Sequence, residues 1–431
     1  MKLFDFQKRG LELVEGKDRV AFYWEMGTGK TFVGSEKMWS FNNKINLIVC
    51  QKSKVRDWVE HMTTHYSGDV YDLTNKRQFD LFLQNLNGTA VINYDLLHRR
   101  PILQGLSDFT LMLDESQYIA NESARRTKFV LRMRPKNVVL LSGTPVSGKY
   151  EQLWSQCRLL GWKITKNEFW RNYVVSRDWY PVEGMFPVKI VVGYKNVDDL
   201  KFMLRRHGAT FLKTEEVIDL PEQVFQTIHV PTTAQYRKFM KNGIVDVGGK
   251  WESYVDESGH DVDYYTGETL VGDTLLTKML YARQLCSSYN KDKLDAFKDL
   301  IESTSSRVVV FYNFNKELEA LKKIVADRPR SIVNGETRDL TAFREHDDGI
   351  ALCQYQAAAE GLNLQEANHI VYFSPPLSSA KFEQSKKRIH RIGQSKTCFY
   401  YYLVAKGSVE EKIYDSLAKG KDYTEKLFEH D

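Results

Sequence analysis

Apolar residues in the first third of the chain fall in short unbroken runs at 19 to 23, 45 to 50, 89 to 93, 109 to 113 and 137 to 141, separated by stretches of helical spacing. Runs of this length without polar alternation predict strands buried on both faces, as in a parallel sheet covered by helices. From 150 to 215 the chain becomes rich in Trp, Arg and Lys, and the spacing in Tyr150 to Leu160 and Asp198 to Arg206 predicts a helical extension. Pro221 opens a strand expected over Val224 to Val230, and Thr232 to Lys241 reads as a capped helix. Residues 242 to 274, rich in Gly, Asp and Tyr with a turn signal at Asp256-Glu257-Ser258-Gly259, predict a loop or hairpin insertion. A second alternation begins at Lys291: helix 291 to 303, strand Arg307 to Phe311, helix 315 to 325, then apolar runs at 349 to 353, 369 to 373 and 398 to 404. In the last stretch, Ser408 to Phe428, Val409, Ile413, Tyr414 and Leu417 recur at helical spacing, which predicts an amphipathic helix packed on the second half.

The pattern therefore predicts two α/β units. The expected boundaries are a first lobe over 1–149 with a helical extension over 150–220, then a strand and protrusion over 221–290 leading into a second lobe over 291–431. With 431 residues and 42% hydrophobic content, the chain can bury two cores of ordinary size. The net charge of +5 suits an anionic partner but does not demand one. Cys50, Cys157, Cys286, Cys353 and Cys398 are widely spaced and odd in number, so neither a disulfide framework nor a zinc site is expected. No run approaches the roughly 20 apolar residues that span a bilayer, so a soluble intracellular protein is expected.

Chemistry enters at Glu25-Met26-Gly27-Thr28-Gly29-Lys30-Thr31, directly after the apolar run Val20-Ala21-Phe22-Tyr23. A strand, a glycine-rich turn and then Lys-Thr form a phosphate cradle: glycine lets backbone N–H groups close on phosphate oxygens, and the opening helix presents its positive end. Lys30 is placed to neutralise β and γ phosphates and Thr31 to ligate magnesium. An ordinary glycine turn explains this order poorly, although Trp24 stands where the loose pattern has Gly. Downstream, Leu111-Met112-Leu113 ends in Asp114-Glu115. By itself such a pair is more often a solvated loop, but after a phosphate cradle it reads as a magnesium-holding Asp114 and a water-activating Glu115.

These segments, with several more, resemble the Swi/Snf branch of superfamily-two helicase-type motors nearly from end to end. Gln7 in Phe4-Asp5-Phe6-Gln7 resembles the nucleotide-reading Q motif, and Glu25 to Thr31 resembles motif one, with Trp24 in place of an Asp. Motif Ia is similar to Leu47 to Ser53 followed by Trp58, with Gln51 where the branch has Pro. Motif Ib is similar to Val91 to Leu97, and motif two is Asp114-Glu115-Ser116-Gln117, with Ser-Gln for Ala-His. Leu141-Ser142-Gly143-Thr144-Pro145 resembles motif three, followed by Glu151-Gln152-Leu153-Trp154, and Val333-Asn334-Gly335 with Arg344 resembles the motif four region. Motif five is similar to Ala359-Glu360-Gly361-Leu362-Asn363-Leu364. The most specific match, motif six, runs from Gln384 to Gln394 and continues through Tyr402 to Ile413; just before it, Leu377 stands where the branch has Trp.

The resemblance implies two tandem RecA-like P-loop lobes with helical protrusions, ATP as substrate and Mg2+ as cofactor. It implies Lys30, Asp114, Glu115, Arg388 and Arg391 as catalytic residues, Gln7, Met26, Gly27, Thr28, Gly29, Lys30, Thr31, Gly361 and Gln384 around the nucleotide, and Thr31 with Asp114 at the metal. Double-stranded DNA is the implied partner, met independently of sequence by Lys52, Ser53, Asn93, Tyr94, Thr144 and Asn363, whose donors suit phosphate rather than base edges. Arg388 and Arg391, three residues apart, are expected on one helical face as arginine fingers reaching a triphosphate held by the opposite lobe. A targeting signal or solvated basic face would explain Lys386-Lys387-Arg388 alone, but not Gln384 or Gly393-Gln394. The cluster Arg125-Arg126-Lys128-Arg132-Arg134 reads equally well as a solvated helix face, and the evenly spread aromatic residues read as core. The expected function is an ATP-dependent double-stranded DNA translocase in the cytoplasm of a bacterial or phage-infected cell, the nucleus being the other compartment open to it. The rivals are a strand-separating DNA or RNA helicase and a non-hydrolysing nucleic-acid clamp, the latter disfavoured by the presence of Lys30, Glu115 and Arg391.

Overall fold

The computed structural model describes residues 3–146, 148–180, 188–217, 219–255, 261–358 and 362–428. The chain forms two compact units, Met1–Asp219 with Lys419–Asp431, and Leu220–Ala418.

In the first unit the apolar runs become β1 (Arg19–Trp24), β2 (Ile45–Cys50), β3 (Val70–Asp72), β4 (Gly88–Asn93), β5 (Phe109–Asp114) and β6 (Asn137–Ser142). Two further strands, β7 (Val174–Trp179) and β8 (Val188–Tyr194), pair only with each other as an antiparallel ribbon. The last, β9 (Ala209–Leu212), completes a parallel sheet of order β3-β4-β2-β5-β6-β1-β9. Alternating side chains feed two cores: Ala21 and Tyr23 enter one, and Val20, Phe22 and Trp24 enter the other. This double burial is why the strands read as continuous apolar runs. Helices α1 (Asp5–Glu12), α2 (Lys30–Ser40) and α3 (Val55–His65) belong to this unit.

The second unit begins with β10 (Gln223–Val230) and a nested pair of hairpins, β11 (Ile244–Val247) with β14 (Glu268–Val271) and β12 (Trp251–Val255) with β13 (Asp261–Tyr265). The expected turn at 256–259 lies outside the described residues. After these come β15 (Val308–Tyr312), β16 (Arg330–Val333), β17 (Ile350–Gln354), β18 (His369–Tyr372) and β19 (Cys398–Ala405), in a parallel sheet of order β10-β19-β18-β15-β17-β16. Again two cores form, Val309 and Phe311 on one face and Val308, Val310 and Tyr312 on the other. The C-terminal helix Val409–Phe428 buries Ile413 and Leu417 in the former.

The structure departs from expectation mainly over 150–215. Helices occupy Trp154–Leu159, Lys166–Tyr173 and Val197–Arg206, but the ribbon β7–β8 and strand β9 interrupt them. The residues explain it: Val174-Val175 and Ile190-Val191-Val192 are β-branched and suit a pleated strand, while Ala209 to Leu212 pairs its backbone with the open edge of β1. The five cysteines are free and buried, and among the described residues no helix is long and apolar enough to cross a membrane.

Candidate functional site

Strands β5, β6 and β1 are adjacent and parallel, so their carboxyl ends open on one edge; Tyr23 pairs with Ser142 and Asp114 with Leu141. That register brings together three segments far apart in sequence: Glu25 to Thr31, Asp114-Glu115 and Ser142 to Thr144. Such an edge is where ligands of open α/β sheets bind. Gly27 and Gly29 adopt φ of 88° and 74°, the left-handed region that glycine enters without strain. The Thr28 hydroxyl donates to the Glu25 carbonyl at 2.7 Å and Lys30 Nζ to the same oxygen at 3.0 Å, drawing the loop into a closed turn. Lys30 opens α2, and the first turn of a helix leaves backbone N–H groups suited to an anion such as phosphate.

Neighbouring elements hold this loop in shape. Gln7, buried on α1, donates from Nε2 to the Thr28 carbonyl at 3.0 Å and accepts from the Phe4 amide at 2.9 Å. A Cβ at Gly29 would lie 2.4 Å from Gln7 Nε2, so the two residues exclude anything larger than glycine. Trp24 faces inward: its indole donates to Thr210 Oγ1 at 2.9 Å, and Gly10 of α1 packs on its ring so closely that a Cβ there would come within 2.2 Å. The substitution of Trp at this place is therefore a core contact that seats α1. On the other side, the Thr214 amide donates to the Glu25 carboxylate at 3.1 Å and its hydroxyl to the Met26 carbonyl at 2.9 Å. Sequence reasoning missed Thr210 and Thr214, because the strand that carries the first was read as helical extension.

The acidic pair is equally constrained. Trp58 of α3 donates its indole N–H to Asp114 Oδ2 at 2.8 Å, and the Tyr94 hydroxyl donates to the Asp114 carbonyl at 2.8 Å. Burial pushes the Asp114 carboxyl up to about 6 and neighbouring Glu115 adds to it, while the Trp58 bond and the Lys30 and Lys54 charges pull the other way. Glu115 sits in the left-handed region at φ 53°, a conformation that costs a non-glycine residue on the order of 1 kcal/mol or more. Its Oε2 accepts from Gln117 Nε2 at 2.7 Å, Gln117 Oε1 accepts from the Ser142 hydroxyl at 2.7 Å, and the Thr144 amide donates to that hydroxyl at 3.0 Å. Gln117 thus ties the carboxylate to the end of β6. For magnesium, the set fits: the half-buried Asp114 carboxylate and the Thr31 hydroxyl are hard oxygen donors. Among the described residues no group of three or more His, Cys, Asp or Glu could hold a metal.

In the second unit the helix Ser379–Lys386 carries buried Gln384 and ends at Lys387. Arg388 and Arg391 lie beyond it, so the expectation of two arginines on one helical face is corrected. Beyond the helix Gly393 turns the chain at φ 96°, and Gln394 Nε2 anchors it by donating to the Gln365 and Ala367 carbonyls, distant in sequence, at 3.1 and 2.8 Å. Arg388 is only 2% exposed, its guanidinium donating to the Leu362 carbonyl at 3.0 Å while its own carbonyl accepts from the Leu364 amide. Arg391 is partly buried, and burial holds its guanidinium below the usual range while Glu366 pulls it up. Gly361 lies outside the described residues.

A family profile described as the SNF2-related domain matches residues 18–291, and one described as the helicase conserved C-terminal domain matches 292–393. The chain belongs to the SNF2-related family. Its two parallel sheets are the tandem RecA-like lobes, and the chain is a helicase-like, ATP-using enzyme. Similar curated proteins include the DNA annealing helicase and endonuclease ZRANB3 of Bos taurus, 23% identical over 98% of this chain and 40% of that protein. The SWI/SNF-related matrix-associated actin-dependent regulator of chromatin subfamily A-like protein 1 of Drosophila melanogaster is 24% identical over 99% of this chain and 56% of its own length. The chain thus spans about two fifths to three fifths of these relatives. Among solved structures, the Sulfolobus solfataricus SWI2/SNF2 ATPase core in complex with dsDNA covers 97% of this chain and 91% of its own at 19% identity and a TM-score of 0.46.

The residues that the SNF2-type resemblance assigns to nucleic acid fall into two groups. Lys52 and Asn363 are exposed. Asn93, Tyr94 and Thr144 are buried, and the Ser53 and Thr144 hydroxyls are enclosed without a hydrogen-bond partner among the described residues. The Tyr94 ring stacks on Tyr118 at 5.2 Å and its hydroxyl donates to the Asp114 carbonyl, so its side chain supports the acidic pair.

Proposed function

We propose that this SNF2-family ATPase is a motor that moves along double-stranded DNA without base preference, driven by ATP hydrolysis. The observation that carries the reading is the meeting of Glu25 to Thr31, Asp114-Glu115 and Ser142 to Thr144 at one sheet edge in a chain of this family. In the proposed mechanism, the loop amides and Lys30 bind the β and γ phosphates, and Glu115, oriented by Gln117, takes the proton of the attacking water. Magnesium, when bound, would neutralise phosphate charge, with Asp114 and the Thr31 hydroxyl as its protein ligands. Arg391 is the proposed arginine finger; Arg388 acts through the Leu362 to Leu364 turn that it braces.

Duplex DNA is then expected to stimulate phosphate release more than single-stranded DNA or RNA, and apparent binding should weaken steeply with salt because it rests on phosphate neutralisation. A triplex-displacement assay reads movement along intact duplex, and a forked substrate should stay paired. Stimulation by RNA above that by duplex, or efficient opening of the fork, would replace this reading with a strand-separating helicase.

A further inference from the structure

Beside the Lys166–Tyr173 helix, the first unit carries a cleft of about 650 Å³ whose other wall is the β7–β8 ribbon. Lys166, Arg171, Lys189 and Lys195 line it together with Trp170, and among the described residues no acidic side chain does. Lys166 is paired with Glu122 and its ammonium lies 5.8 Å from the Trp170 ring centroid. Arg171, Lys189 and Lys195 are in no ion pair among the described residues, although Asp178 stands opposite Lys189 in the ribbon. Arg171 acts on the nearby Glu168 carboxylate, yet cations gathered round one concavity still repel one another, and a polyanion in the cleft relieves that repulsion.

The ribbon points the same way. A two-stranded ribbon is marginal in water unless one face is covered, yet β7 is exposed from Val175 to Trp179. It is fastened at its base, where Val174 is buried and the Tyr194 hydroxyl donates to Glu151 at 2.6 Å. Glu122 and Glu151 follow Asp114-Glu115 and Ser142 to Thr144 respectively, so the cleft is tied to the segments that leave the candidate ATP site.

We propose that this cleft is a second nucleic-acid contact, binding the phosphodiester backbone through Arg171, Lys189 and Lys195, outside the motifs already assigned to DNA. The proposal rests on the nucleic-acid reading above. The backbone is that of the duplex being followed; a single strand at a junction, where Trp170 would meet an unstacked base, is the alternative that the test would reveal.

The test uses the full chain, a labelled duplex and a labelled fork, with Lys189→Glu/Lys195→Glu and, separately, Trp170→Ala. Both lysines are exposed, so circular dichroism and DNA-free ATPase should match the wild type. The double variant should bind about tenfold or more weakly, and the slope of log affinity against log salt should fall by about two. Equal loss on both probes identifies duplex backbone, and loss on the fork alone, shared by Trp170→Ala, identifies the single strand. Unchanged affinity and salt slope on both probes, with wild-type binding intact, overturns the cleft but leaves the motor standing. Failure of the wild type to bind either probe removes both.

Discussion

Asp114 is half-buried beside Glu115, and burial together with that neighbouring carboxylate pushes its carboxyl up to about 6 from the usual 3.8. The sign follows directly. Because the folded state holds the proton more tightly than the unfolded chain, ionising Asp114 costs stability; the cost is absent below about 4, grows as pH rises, and is complete above about 6. With metal chelated, Asp114→Asn should therefore raise unfolding stability at pH 7.5, by at most about 3 kcal/mol, and lose that advantage by pH 4. Urea denaturation at the two pH values measures it, and an equal effect at both would mean that the charge is not the cause. The same substitution should abolish hydrolysis, the stability of the resting site being exchanged for the chemistry. Lys30→Ala removes the cation that the loop brings to phosphate and should stop turnover while circular dichroism stays unchanged. Turnover near wild type in the folded variant would place catalysis elsewhere.

Among the elements, the start of the C-terminal helix is fixed in the second unit by a fully enclosed ion pair. Lys293 Nζ lies 2.7 Å from Glu410 Oε1, and Glu410 Oε2 accepts from the Ala405 amide at 2.9 Å. Burial raises the Glu410 carboxyl against the pull of Lys293. Lys293→Met leaves that carboxylate enclosed without its cation and should destabilise the unit by about 3–5 kcal/mol at neutral pH. Lys293→Met/Glu410→Gln keeps an acceptor for Ala405 and should recover most of the loss; a double variant as unstable as the single one would show that packing, not charge, is responsible. The β7–β8 ribbon teaches a different lesson about elements. Its β-branched runs were visible, but isolated ribbons lack the half-buried alternation by which strands are recognised, and the helical spacing on either side masked them.

For the whole molecule, the phosphate-binding groups belong to one unit and Arg388 and Arg391 to the other. If Arg391 acts on charge that develops only during phosphoryl transfer, Arg391→Ala should lower maximal turnover by roughly 10³ while nucleotide affinity is kept. Titration with a labelled ATP analogue and single-turnover kinetics separate the two effects; weaker affinity with an unchanged maximal rate would remove Arg391 from the finger role. Arg388→Ala should instead lower thermal stability together with turnover, since its guanidinium is enclosed and spent on the Leu362 carbonyl.

The sequence alone determined the alternation of strands and helices, the two-unit plan, the glycine loop with Lys30 and Thr31, and the acidic pair. Each is a local signal: a doubly buried strand must be apolar throughout, a left-handed turn needs glycine, and a phosphate needs a cation within a few residues of it. What only the tertiary structure decided is relational. Trp24 is a core contact because Gly10 and Thr210 happen to face it, Tyr94 supports Asp114 because its ring is enclosed, and Arg388 and Arg391 leave the helix because Gln394 bonds to carbonyls in a distant turn. Thr214 reaches the phosphate loop and Thr210 the Trp24 indole because β9 pairs with β1 across almost two hundred residues of chain. Such contacts depend on which strands become neighbours, and nothing in the local run of residues encodes that.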